Sequence, residues 1–75
     1  MERGKINSSS LASVGYKGGT LEVEFRKTGD VYQYFNVQEE IFLALMKASS
    51  RGAYFTKHIR ENYEFKKVTV KSASY

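Results

Sequence analysis

Between Thr20 and Lys27 apolar and charged residues alternate with period two, which sets Leu21, Val23 and Phe25 on one side and Glu22, Glu24 and Arg26 on the other. This pattern predicts a strand with one face toward a core. Thr28-Gly29-Asp30 then makes a short connection to Val31-Tyr32-Gln33-Tyr34-Phe35, a run rich in β-formers, so an antiparallel hairpin follows. Upstream, Leu11 to Tyr16 has strand character without clean alternation, and Lys17-Gly18-Gly19 supplies a turn because paired glycines reach positive φ without steric cost. Three strands in a meander are expected.

The period then changes. Asn36-Val37-Gln38-Glu39 reads as a helix start, with Asn36 as cap and Glu39 closing a capping box. The helix is expected to run to about Ala48, with Ile41, Leu45 and Ala48 on one face and Phe42 and Met46 beside them, an apolar stripe suited to covering a sheet. Ser49 and Ser50 break it, and Ser50 is placed to cap a second helix from Arg51. There Phe55 and Ile59 share a face, while Arg51, Tyr54 and His58 form a neighbouring stripe. From Tyr63 to Val70 aromatic or β-branched residues alternate with charged and polar ones, either as a fourth strand or as an extended tail packed by Tyr63 and Phe65. The expected fold is α+β, a three-stranded antiparallel β-meander followed by two α-helices packed on one face. Residues 1–8 read as a flexible N-terminus, 9–68 as the domain and 69–75 as a C-terminal tail.

Seventy-five residues make one domain, and a chain of this size buries only about 60 to 65% of its unfolded surface. With no cysteine, neither disulfides nor thiolate zinc sites can reinforce so small a core. Eleven aromatic residues supply apolar area instead. The longest apolar run, Ile41 to Met46, is far short of a membrane span, and no apolar stretch of signal-peptide length follows Met1; a cytoplasmic protein is expected, with no membrane partner. Residues 1–50 balance six Lys/Arg against six Asp/Glu, so the whole +4 excess falls in the last third. Such asymmetry attracts phosphates or acidic surfaces.

Catalysis finds little support. His58 is the only imidazole, no nucleophile elbow is present, and Glu22 and Glu24 beside Arg26 read as a solvated strand face. A lone histidine also argues against a metal, and no cofactor is expected. Binding is better supported. Ser49, Ser50 and Gly52 lie at a helix start, where free backbone N–H groups favour an anion, and Arg51 can grip a phosphate through two parallel donors. Tyr54 and His58 add a flat surface and a donor, or else rim the core. Lys57 and Arg60 are candidate phosphate contacts, although Glu61 and Glu64 stand at ion-pair spacing; Lys66 and Lys67 are less easily neutralised. Tyr32 and Tyr34 share one strand face. If exposed they form a stacking platform for single-stranded nucleic acid; if they face the helices they are core residues, which Gln33 on the other side favours.

Several blocks together resemble the KTSC domain: Ser13-Val14-Gly15-Tyr16, Thr20 to Phe25, the central Tyr32-Gln33-Tyr34, and Ser49 to Phe55 leading to His58-Ile59-Arg60 and Tyr63. That family occurs at the C-terminus of some lysyl-tRNA synthetases and as small stand-alone proteins. The resemblance covers Ser9 to Val68, with Gln38 standing where a proline often opens the first helix. It implies an RNA-binding role and no catalytic residues, with the motif tyrosines on Tyr32 and Tyr34 and the basic, aromatic block on Ser50 to Arg60. The expected function is a non-enzymatic binding module for a phosphate-bearing partner, foremost RNA. The rivals are a homo-oligomer that sequesters a nucleotide or other phosphorylated small molecule between subunits, and a protein-interaction module.

Overall fold

A computed structural model describes residues 3–6 and 8–68 of the chain. The elements run β1 (Gly4–Lys5), β2 (Leu11–Lys17), β3 (Thr20–Phe25), β4 (Val31–Tyr34), α1 (Glu39–Lys47), α2 (Arg51–Tyr54), a π-helical segment (Phe55–Ile59) and β5 (Phe65–Lys67). All strands join one antiparallel sheet in the order β1-β2-β3-β4-β5. The α+β class and the central meander are as the pattern predicts, but the sheet has five strands rather than three. β1 is only two residues long, too short to carry a period-two signal, whereas β5 lies within the alternation from Tyr63 to Val70 and resolves it as a strand rather than a tail. Because Gly4 pairs with Val14 and Lys5 with Ser13, part of the segment expected to be flexible is sheet. The expected tail, 69–75, lies outside the described residues.

The irregular pattern of β2 has a physical cause. Its register with β3 shifts between Leu11 and Ser13, so Ala12 is an extra residue in the ladder. Leu11 and Val14, three apart, therefore face the same core, while Ser13 and Gly15 face away beside Glu24 and Glu22. Strict alternation would have put one of the two apolar side chains in water.

The start of α1 differs from expectation. Asn36 is not its cap: it adopts a left-handed φ of 60°, and the cap is the extended Gln38, which makes no side-chain capping bond. The capping box from Asn36 to Glu39 does not form. Asparagine tolerates left-handed backbone, and here it turns the chain out of β4. Val37 is then pinned and buried, its N–H donating to the Gly19 carbonyl at 2.8 Å and its carbonyl accepting from the Tyr16 hydroxyl at 2.5 Å. Glu39 and Glu40 in the first turn and Lys47 in the last suit the helix dipole.

Ser50 caps the second helix as its position predicts, its hydroxyl accepting from the Ala53 N–H at 3.3 Å. After one α-helical turn the spiral widens, and the Arg60 N–H donates to the Phe55 carbonyl at 2.9 Å, a five-residue step. Both helices cover one face of the sheet. Leu11, Val14, Leu21, Val23, Tyr34, Val37, Leu45, Phe55 and Ile59 are buried between the layers. Phe55 lies at the centre, edge-on to Phe25 at 5.5 Å and to Tyr34 at 5.2 Å between ring centroids. Among the described residues, no helix is long and apolar enough to cross a membrane.

Candidate functional site

The register Leu21 to Tyr34 and Val23 to Tyr32 puts both motif tyrosines on the helix-facing side of β4. They are not an outward platform. Tyr34 is only 3% exposed and Tyr32 is half-buried. Both nevertheless line a cleft of about 750 Å3 where the β3–β4 turn, β5 and the end of the π segment meet. Phe25 and Phe65 complete its aromatic wall, with ring centroids 5.5 Å from Tyr32 for Phe25, and 5.7 Å from Tyr32 and 5.4 Å from Tyr34 for Phe65. Lys27, Thr28 and Asp30 enter from the turn, Arg60 and Glu61 from the helix end.

The polar groups of this cleft are unevenly satisfied. Lys67 reaches Asp30 at 3.6 Å and so neutralises it, which corrects the expectation of a free Lys67. Neither Lys57 nor Arg60 forms an ion pair with Glu61 or Glu64 among the described residues, although the spacing allows it. Arg60 thus keeps its charge at the rim. Within the same limits, the hydroxyls of Tyr32 and Tyr34 make no hydrogen bond. Burial, reinforced by the neighbouring Tyr32, pushes the Tyr34 phenol above its ordinary pKa, and the Arg60 guanidinium acts in the opposite direction without reversing it. Tyr34 therefore stays protonated, a hydrogen-bond donor, at neutral pH.

The other candidates are dispersed. Arg51 is turned inward: Nη2 donates to the Met46 carbonyl at 2.9 Å, and Nε is buried without a partner. Its fork is committed to the end of α1 rather than open to a phosphate. Gly52 is buried against the N-terminal segment, and a Cβ there would lie 2.7 Å from the Ser10 hydroxyl. The helix start is thus covered by its own chain, with Ser50 engaged in capping and Ser49 exposed beside it. Tyr54 and His58 do form a pair, with ring centroids 4.4 Å apart and planes tilted by 38°, away from the cleft. Lys57 is exposed on the π segment, and Lys66, paired with Gln33, belongs to the opposite face of the sheet.

That opposite face also departs from expectation. Glu22 is not solvated but 6% exposed, gripped by the Arg3 guanidinium and by the Gln33 amide at 2.8 Å. Arg3 also donates to the Ser13 hydroxyl, which donates in turn to Glu24, each at 2.8 Å. Burial alone would raise the Glu22 pKa, but the hydrogen bonds from Gln33 and Arg3, with the charge of Arg3, hold it below the usual carboxylate value.

Among the cleft residues, Phe25, Lys27 and Phe65 escaped sequence reasoning. Phe25 belongs to the apolar face of β3, and Phe65 to the alternation after Asn62; both signals mark burial, and only the tertiary fold brings them to Arg60.

A family model described as the KTSC domain matches residues 7–63. The chain is also similar to a KTSC domain protein from Yersinia pestis of known crystal structure, at 33% sequence identity and a TM-score of 0.85, over 91% of this chain and 97% of that one. No curated protein matches it.

Proposed function

The chain belongs to the KTSC domain family, and on that footing we propose that it is a non-enzymatic binding module whose cleft receives a nucleotide unit of single-stranded RNA. What supports this reading is the meeting of stackable rings and an unpaired guanidinium in one recess of about 750 Å3, within the roughly 300 to 1,000 Å3 typical of ligand sites. A base can insert beside Tyr32 and Phe65, where stacking contributes about 1 to 3 kcal/mol per base. Arg60 and Lys27 then meet the phosphates, with Lys57 further along the same helix end.

The test is fluorescence anisotropy with a labelled short single-stranded RNA across a salt series. Arg60→Ala is expected to weaken binding and to reduce the slope of log affinity on log salt by about 0.7, the share of one phosphate on a single strand. Tyr32→Ala weakens binding with the slope unchanged, and Lys66→Ala, on the far face, alters neither. Equal binding of duplex RNA, or indifference to Arg60→Ala, would sink the assignment. Full competition by a mononucleotide at the same concentration would instead favour a sequestering protein, whose mass in native conditions would then reveal any assembly between subunits.

A further inference from the structure

Arg26 stands outside the cleft lining yet ties two parts of it together. Its Nε donates to the Ser8 carbonyl at 2.8 Å, and its Nη2 donates to the Ile6 carbonyl at 3.1 Å and the Leu11 carbonyl at 3.4 Å. Its backbone N–H donates to the Ser10 carbonyl at 2.9 Å. Ser8 to Ser10 form a strap ahead of β2, in which the Ser8 hydroxyl accepts from the N–H groups of Ser10 and Leu11 at 3.2 and 3.3 Å. Ser10 rests on Gly52, where a Cβ would stand 2.7 Å from its hydroxyl. Ser9 and Ser10 are exposed and line the cleft, as do Lys27 and Thr28, the two residues that follow Arg26. The bonds of Arg26 therefore fix how far the strap stands from the β3–β4 turn.

Resting on the RNA reading above, we propose that Arg26 is a positioning residue for the cleft: it touches no RNA, and by tying the strap to the β3–β4 turn it sets the spacing in which Lys27 meets a phosphate. Its guanidinium is committed to main-chain carbonyls, and the planar fork that spans them has no equivalent in an ammonium. A segment held by few bonds opens locally at low cost. Without Arg26 the strap leaves its place, and a ligand must order it again on binding, which lowers affinity.

The experiment measures binding of a short single-stranded RNA and of a mononucleotide to the wild type, Arg26→Lys and Arg26→Gln across a salt series, together with amide hydrogen exchange. Both variants are expected to bind RNA about five- to tenfold more weakly, the worth of one lost hydrogen bond, with the slope of log affinity on log salt unchanged. Exchange at Ser10 and Leu11 should quicken in both while the β3–β4 ladder stays protected. In the unaltered chain RNA should slow exchange at the same two amides, a readout that needs no variant to fold; no slowing overturns the proposal. Wild-type affinity in Arg26→Lys with a reduced slope in Arg26→Gln would make Arg26 a phosphate contact and also overturn it. Affinity within about twofold of wild type in both variants, with the strap amides released, does the same and leaves RNA binding in place. Mononucleotide binding weakened in both variants, with no RNA bound by any of the proteins, supports the positioning role and overturns the RNA reading. No binding of either probe overturns both.

Discussion

Arg51 donates through Nη2 to the carbonyl of Met46 at 2.9 Å, so the guanidinium at the start of one helix closes the end of another. A helix C-terminus leaves carbonyls without intrahelical partners and carries partial negative charge, and a cation there answers both needs. Arg51→Ala is expected to lower stability by about 1 to 2 kcal/mol, read as a fall in the urea midpoint, while affinity for single-stranded RNA stays within about twofold. A large loss of affinity without loss of stability would return Arg51 to the binding site.

Gly52 presents two opposed effects whose sizes decide the outcome. Alanine is favoured over glycine in a helix by about 1 kcal/mol. A Cβ at this position, however, would meet the Ser10 Oγ at 2.7 Å and the Ser10 Cβ at 2.8 Å. Ser10 Cβ is rooted on the backbone and cannot swing away, so the N-terminal segment must shift, and overpacking of this kind costs about 1 to 3 kcal/mol. Gly52→Ala is therefore expected to destabilise on balance. Ser10→Gly in the same chain should turn the effect to a gain, and a double-mutant cycle in thermal unfolding would measure the coupling. Additive effects would show that the segment does not pack there.

The Glu22 pair sets part of the acid limit. A carboxylate whose folded pKa lies below its unfolded value adds stability that is complete above the unfolded pKa and disappears as pH falls through the folded one. For Glu22 that window begins near the ordinary value of 4.5 and extends below it. Glu22→Gln is expected to cost stability at neutral pH and to flatten the acid limb of the unfolding curve. Arg3→Ala, which leaves Glu22 with only Gln33, should move that limb to higher pH. An unchanged acid limb in both variants would show that the network does not persist in solution.

Tyr16 packs its ring flat on Phe42, with centroids 5.0 Å apart and planes 9° from parallel, while its hydroxyl holds the Val37 carbonyl. Tyr16→Phe keeps the stack and orphans the carbonyl, and should lower stability by about 1 kcal/mol in chemical unfolding. Tyr16→Ala removes both and should cost about 3 to 5 kcal/mol. If the two variants cost the same, the stack contributes nothing.

The sequence made the meander, both helices and the Ser50 cap legible because each depends on local spacing. Leu21, Val23 and Phe25 needed only period two, and Phe55 and Ile59 only the helical repeat. What escaped depends on partners far along the chain. Lys5 is sheet only because Ser13 lies opposite, and the irregular pattern from Leu11 to Tyr16 became a bulge only once paired to β3. Glu22 looked solvated beside Arg26 because nothing local announces that Arg3, nineteen positions away, will cover it. Arg51 looked free for the same reason: Met46 is close in sequence, but the turn that brings its carbonyl round is set by packing. The cleft was half legible. Tyr32, Tyr34 and Arg60 were candidates from the outset, whereas Phe25 and Phe65 carried the same alternating signal as any core residue.

The widened turn from Phe55 to Ile59 acts as a phase adjuster. Its five-residue hydrogen bond accommodates one residue more than an α-helical turn would, which offsets everything after it by about 100° around the axis. Phe55 can therefore point into the core in register with α2 while Arg60, beyond the widening, is delivered to the rim of the cleft. Removal of the exposed Thr56 or Lys57 would let the Arg60 N–H reach the same Phe55 carbonyl by an ordinary four-residue step, which restores the usual pitch and leaves Arg60 one turn above Phe55. In a lineage of such domains, one codon could be gained or lost at this turn and the cleft would stay armed.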